Sequence, residues 1–189
     1  MSTRPHAKLA LLESYLLDVV TPRFRARGCI DAFDFFCIVI WKANRAKSKI
    51  AQRLMKGREE DLDQIVKELT TKIHEAQTYR DRLRILMKEY GFLLPMASAV
   101  LTALYPDYFT VYDIRVCEQL NGFTELANAT NMESIWSGYL VYLKAVVEHN
   151  SAQLSLRDRD RELWGKSFAK QLEKQIAERF RTSAPSADA

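Results

Sequence analysis

Apolar residues recur at intervals of three and four along almost the whole chain, and this spacing is the strongest constraint on its fold. Because an α-helix places such positions on one face, the pattern predicts helices. Strict alternation, which is typical of strands, occurs only over residues 109–114, a segment too short to seed a sheet. The sequence therefore predicts an all-α fold of about eight helices. The clearest row lies near the C-terminus: Trp164, Phe168, Leu172, Ile176 and Phe180.

Helix ends are marked by side chains that can accept hydrogen bonds from free backbone amides. Pro22 is predicted to stop the first helix, because proline has no N–H group and clashes with the preceding turn. No heptad repeat is sustained, so we expect helices that pack as a globule rather than as a coiled coil. The predicted helix starts are Asp31, Asp61, Asp113, Ser155 and two sequences that resemble capping boxes, Thr78-x-x-Asp81 and Thr130-x-x-Glu133.

The composition is that of a folded globular protein. Of 189 residues, 48% are hydrophobic and 11% aromatic, which excludes a disordered chain, and 6 Gly with 5 Pro exclude a fibrous one. This length suits one domain. We predict a single domain over residues 1–181 and a disordered Ser- and Ala-rich tail over residues 182–189.

Cysteine and histidine are too few and too scattered for a metal centre. The three cysteines form no Cys-x-x-Cys pair, so neither a disulfide framework nor an iron–sulfur or four-thiolate zinc site is predicted. The N-terminus lacks a secretory apolar stretch, and the longest apolar run, residues 35–41, is too short to span a bilayer. We expect a cytoplasmic protein with no metal, no cofactor and no membrane partner.

Residues 35–58 contain seven Lys and Arg and no Asp or Glu, within a chain whose net charge is only +4. Such a face concentrates positive potential where each cation can meet one phosphate. A solvated amphipathic helix has the same spacing, but ordinary surfaces mix both signs of charge, which favours a polyanionic partner. Five of the cations are spaced by 3, 4, 4 and 3, as expected on one helical face: Lys42, Arg45, Lys49, Arg53 and Lys56.

Two residues at the start of this basic segment are suited to nucleic acid. The indole of Trp41 can stack on a base, and the amide of Asn44 can bond to a base edge. The alternative for Trp41 is an ordinary place in the core. By contrast, Arg157, Arg159 and Arg161 alternate with aspartates, which indicates a salt-bridged helix start rather than a binding surface.

The segment from Gly91 to Val116 combines a glycine turn, a helix rich in small residues, a Tyr-Pro-Asp loop and an aspartate at the start of the next helix. This order resembles the helix-hairpin-helix base-excision DNA glycosylase superfamily. The likeness covers about residues 33–122, with Asn44 where the family often has an amide that contacts DNA. The resemblance implies a glycosylase-like helical bundle with a degenerate helix-hairpin-helix.

Individual residues match that family unevenly. Asp113 corresponds to the family's catalytic aspartate, which stabilises oxocarbenium-like charge on the sugar or helps to activate the nucleophile. Leu93 stands where the family hairpin has its second glycine, and Pro95 where the members that are also lyases have a Schiff-base lysine. The resemblance therefore implies a divergent, monofunctional enzyme. Because aspartate is also among the best N-caps, a purely structural role for Asp113 is the alternative.

The leading hypothesis is a DNA-binding protein that removes a damaged or modified base in base excision repair. Asp113 would be the catalytic group of this hydrolase, and water the nucleophile. A second hypothesis is an inactive relative that only binds nucleic acid, and a third is a helical protein-interaction module. Under the first hypothesis the DNA contacts are Lys42, Asn44, Arg45, Lys49, Arg53, Lys56 and Arg115, and the pocket or stacking residues are Trp41 and Tyr112.

Overall fold

The computed structural model describes residues 6–149 and 153–178, and every regular element in this part of the chain is a helix. The prediction of an all-α fold of about eight helices is confirmed, and the segment 109–114 is extended without pairing into a sheet. Phe180 and the predicted tail 182–189 lie outside the described residues. The helices are α1 (His6–Leu9), α2 (Leu12–Tyr15), α3 (Thr21–Arg27), α4 (Ala32–Ala43), α5 (Lys47–Met55), α6 (Leu62–Glu75), α7 (Tyr79–Arg84), α8 (Leu94–Leu104), α9 (Ile114–Leu120), α10 (Met132–His149) and α11 (Leu156–Glu178).

Most of the predicted helix starts are confirmed by hydrogen bonds. Asp31 caps α4 by accepting from the amide of Asp34 at 2.9 Å. Thr78 caps α7 by accepting from the amide of Asp81 at 3.0 Å. Asp61 and Ser155 cap α6 and α11 in the same way. These caps depend only on residues three positions apart, which is why the sequence pattern identifies them.

Two predicted boundaries are wrong. Pro22 does not end the first helix, because the π-helical turn Leu16–Val20 joins α2 to α3 and places Pro22 in the first turn of α3. A proline in a first turn removes no helical hydrogen bond. Thr130 does not cap α10, because the side chain of Asn131 accepts from the amide of Ser134 at 3.0 Å instead.

Helix α8 forms the centre of the hydrophobic core. All its residues except Pro95 are buried, and it packs against α3, α4 and α7. The alanines of α8 allow this close approach of neighbouring backbones, as their small size predicts. A turn at Gly91, whose φ of 68° favours glycine, connects the π-helical turn Ile85–Glu89 to α8. The glycine turn and the helix rich in small residues, predicted for the segment that begins at Gly91, are therefore present.

The C-terminal helix α11 packs against α9 and α10. This packing brings the N-terminal half of α11 next to the end of α4 and to α2, although these segments are far apart in the sequence. None of the helices among the described residues combines the length with the apolar character needed to cross a bilayer.

Candidate functional site

Asp113 lies at the end of an extended segment that two buried tyrosines of α10 hold in place. The hydroxyl of Tyr139 donates to the carbonyl of Thr110 at 2.6 Å. The hydroxyl of Tyr142 donates to the carbonyl of Val111 at 2.8 Å. Because the backbone just before Asp113 is bonded to the core, its carboxyl group has a defined position at the start of α9.

The two carboxylate oxygens of Asp113 have different partners. Oδ1 accepts from the backbone amide of Arg115 at 3.0 Å, so Asp113 is the N-cap of α9. Oδ2 forms an ion pair with Nζ of Lys42, at the C-terminal end of α4. The Asp113 and Lys42 side chains are 20% and 14% exposed, so water screens this pair only partly.

Burial alone would raise the pKa of Asp113. The charge of Lys42, the hydrogen bond to its ammonium group and the amide of Arg115 outweigh burial and hold the pKa of Asp113 below its usual value. Asp113 is therefore an ionised carboxylate at neutral pH.

A cavity of 310 Å³ opens beside Asp113, with walls from three other parts of the chain. Its volume lies at the lower end of the range for small-molecule pockets, about 300–1,000 Å³. The indole rings of two helices contribute apolar surface to it. Besides Val111 and Asp113, the lining residues are Glu13 of α2, Trp41 and Lys42 of α4, and Arg157, Asp160, Arg161 and Trp164 of α11.

The charged groups of the cavity pair with one another. Arg157 forms ion pairs with Glu13 and Asp160. Nε of Arg161 lies 3.2 Å from Oε1 of Glu13. Burial raises the pKa of Asp160, and the charge of Arg157 offsets this only in part. With three basic and three acidic side chains in its walls, the cavity favours a neutral polar ligand over a highly charged one.

Trp41 lies in the cavity wall. The guanidinium group of Arg157 is 5.0 Å from the centroid of its ring. Asn44 is exposed, and its Oδ1 accepts from Nζ of Lys47 at 3.3 Å.

The basic residues do not share one continuous helix, which corrects the sequence prediction. At Ala43 the backbone leaves the helical region, with φ −161° and ψ 84°, and the 3-10 turn Asn44–Ala46 separates α4 from α5. Lys42 pairs with Asp113 at the end of α4, whereas the rest of the row follows the break at Ala43. Arg53 donates to the carbonyl of Gly91, so it supports the turn before α8.

Four other cations of residues 35–58 are open to solvent. Arg45, Lys47, Lys49 and Lys56 are exposed, and none has an acidic partner among the described residues. Many other surface cations do have one, as in the pairs Arg25–Asp107 and Lys67–Asp63. We call these four residues the basic segment; it begins three positions after Lys42.

Two other predicted site residues are placed differently. Tyr112 lies in the core, 1% exposed, and its hydroxyl donates to the carbonyl of Phe123 at 2.6 Å, so its ring is not available for stacking. Arg115 packs its guanidinium group against Trp164 and Phe168 of α11, outside the cavity wall.

Sequence reasoning missed the contribution of α11 to the cavity. The salt bridges predicted for Arg157 and Arg161 are present, but both residues also face the cavity, as does Trp164. The signal was their spacing, since residues 157, 161 and 164 fall on one helical face.

Comparison with protein families, curated proteins and solved structures finds no match to this chain. Among the described residues, no group of three His, Cys, Asp or Glu side chains is arranged to hold a metal ion.

Proposed function

We propose that this protein binds DNA and hydrolyses the N-glycosidic bond of a nucleotide whose base enters the Asp113 cavity. One observation carries the proposal: an ionised, partly buried carboxylate lines a cavity of ligand size, and Lys42 in the same wall lies three positions before the basic segment.

The cavity suits a nucleobase in size and in chemistry. An enzyme that acts on a base in DNA must take that base out of the stack and enclose it. The base is flat, neutral and rich in hydrogen-bonding groups. The indoles of Trp41 and Trp164 offer it apolar surface, and the charges of Glu13 and Arg157 offer it acceptors and donors.

Asp113 is placed to stabilise the reaction's transition state. Hydrolysis of a glycosidic bond passes through an oxocarbenium-like state, in which positive charge develops on the sugar. A fixed, partly buried carboxylate stabilises that charge more strongly than one in solution. Lys42 acts as a positioning residue here, because it orients Asp113 and keeps it ionised.

The basic segment provides a route for the DNA backbone. Its four cations have no acidic partner in the described part of the chain, so binding a phosphate breaks no ion pair. The order of helix α7, the turn at Gly91, helix α8 and then Asp113 adds support, because it matches the order of features that resembles the glycosylases.

A second candidate function is DNA binding without catalysis. It is favoured by the fact that both oxygens of Asp113 already have partners, Lys42 and the amide of Arg115. A carboxylate held in this way stabilises a positive charge, but it is a poor acceptor of a proton from water.

The test is incubation with oligonucleotides that carry a panel of damaged or modified bases, followed by alkali, which cleaves the abasic sites that a monofunctional enzyme leaves. We expect Asp113→Asn to lose base release and to retain DNA binding. The matched control is Asp107→Asn, which changes an exposed aspartate of the same loop that pairs with Arg25. Full base release by Asp113→Asn would refute the catalytic role. DNA binding by the wild-type protein with no release from any substrate would favour the second candidate.

A further inference from the structure

Trp164 and Phe168 form an offset-stacked aromatic pair on α11. Their ring centroids are 5.5 Å apart and their planes differ by only 6°. The two residues are 42% and 44% exposed, which is unusual for two adjacent large aromatic side chains in the same helix. We call this pair the aromatic platform.

The platform is supported from one side. The guanidinium carbon of Arg115 lies over both rings, 5.3 Å from the centroid of Trp164 and 5.7 Å from that of Phe168. Nη1 of Arg115 is buried and has no hydrogen-bond partner among the described residues. Arg115 therefore packs against both rings, and the two aromatic residues still keep much of their surface open to solvent.

The platform is continuous with the cavity, because Trp164 belongs to both. A strand whose base occupies the cavity would bring its neighbouring nucleotide to this rim. A base in a duplex stacks on its neighbours and cannot present its face to a side chain, whereas an unpaired base can.

We infer that the aromatic platform stacks the base next to the one held in the cavity, so that the substrate class is single-stranded or locally unpaired DNA. This inference rests on the proposed function for the path of the strand. Stacking on aromatic side chains is tolerant of sequence, so the platform would select for unpaired bases and not for a particular base.

An aromatic surface on a helix can also bind protein. Leu172 and Ile176 continue the exposed apolar row along α11. The contact with Arg115 distinguishes Trp164 and Phe168 from these two residues, and Trp164 also lines the cavity. A second copy of the chain, docked along the whole row, is the competing occupant that the experiment must exclude.

The experiment measures the affinity of the full chain for an oligothymidylate and for a matched duplex. An oligothymidylate of about ten nucleotides is within the length of one single-strand site. Trp164→Leu and Phe168→Leu remove the aromatic faces and keep apolar bulk. We expect each to weaken single-strand binding about ten-fold, the loss typical of one stacked base. Phe168→Leu, which changes a residue outside the cavity wall, should alter duplex binding less than about two-fold. Leu172→Ala is the matched control, for which we expect no change in either affinity.

Unchanged single-strand affinity in both aromatic variants, or an equal loss for single strand and duplex, would overturn the inference. So would a dimeric wild-type protein that Trp164→Leu converts to a monomer without affecting DNA binding. Base release measured on the same samples separates the two proposals. Phe168 separates them because it lies outside the cavity wall. Release that depends on Asp113, with single-strand binding that does not depend on Phe168, leaves the proposed function standing alone. Single-strand binding that depends on Phe168, without any release, leaves the platform standing alone.

Discussion

The ion pair between Lys42 and Asp113 permits a quantitative prediction that does not depend on catalysis. Replacing Lys42 with Met leaves a partly buried carboxylate without its cation. Breaking a fully buried pair destabilises a protein by about 3–5 kcal/mol, and an exposed pair contributes about 0.2–1 kcal/mol. Since the two side chains are 14% and 20% exposed, we expect a coupling free energy of about 2 kcal/mol at neutral pH, between these limits.

A double-mutant cycle measures this coupling. The cycle consists of the wild type, Lys42→Met, Asp113→Asn and the double variant, each unfolded in urea and followed by circular dichroism. Asparagine caps a helix about as well as aspartate, so Asp113→Asn removes the charge and retains the cap of α9. Asp113→Ala, which loses both, should be less stable than Asp113→Asn by about 1 kcal/mol.

The pH dependence of the coupling has a definite sign. The pKa of Asp113 is lower in the folded state than its usual value, so its ionisation stabilises the fold above the unfolded pKa of about 3.9. That contribution is lost as the pH falls from about 3.9 through the pKa of Asp113 in the folded state. In Lys42→Met the amide and the charge of Arg115 still oppose burial but both contributions of Lys42 are lost, so we expect the pKa of Asp113 to rise.

The coupling should therefore decrease when the pH is lowered below about 4. A coupling below about 0.5 kcal/mol at neutral pH, which is the range of exposed pairs, would refute this reasoning. A coupling that does not change with pH would also refute it, because it could not come from the charge of Asp113.

Two further predictions concern the charges around the site. If the four cations of the basic segment each contact one phosphate, a plot of the logarithm of the DNA affinity against the logarithm of the salt concentration should have a slope of about −3 to −4. Lys49→Ala should reduce the magnitude of this slope by about one. Lys144→Ala, which removes a cation paired with Glu148, should not change it. The pKa of Asp160 is raised by burial, so its ionisation opposes folding as the pH rises through its folded pKa. Asp160→Asn should therefore become more stable relative to the wild type between about pH 4 and neutral pH, and a difference in urea unfolding free energy that moves the other way would contradict the assignment.

Short-range signals in the sequence determined the helices. The caps at Asp31, Thr78 and Asp113 need only backbone amides two or three residues away, so their residue types predict the helix starts directly. The same reasoning gave the wrong ends at Pro22 and Thr130, where a π-helical turn and a neighbouring asparagine changed the local hydrogen bonding.

The tertiary structure alone decided what surrounds Asp113. The groups that meet in the cavity come from segments as far apart as Glu13 and Arg161, and no local spacing relates them. Packing of α11 against α9 and α10 brings them together, because burial of apolar surface fixes the helix positions and the charged groups then pair where they meet. The sequence determined that Asp113 begins a helix, whereas the packing decided that it faces Lys42 and a cavity.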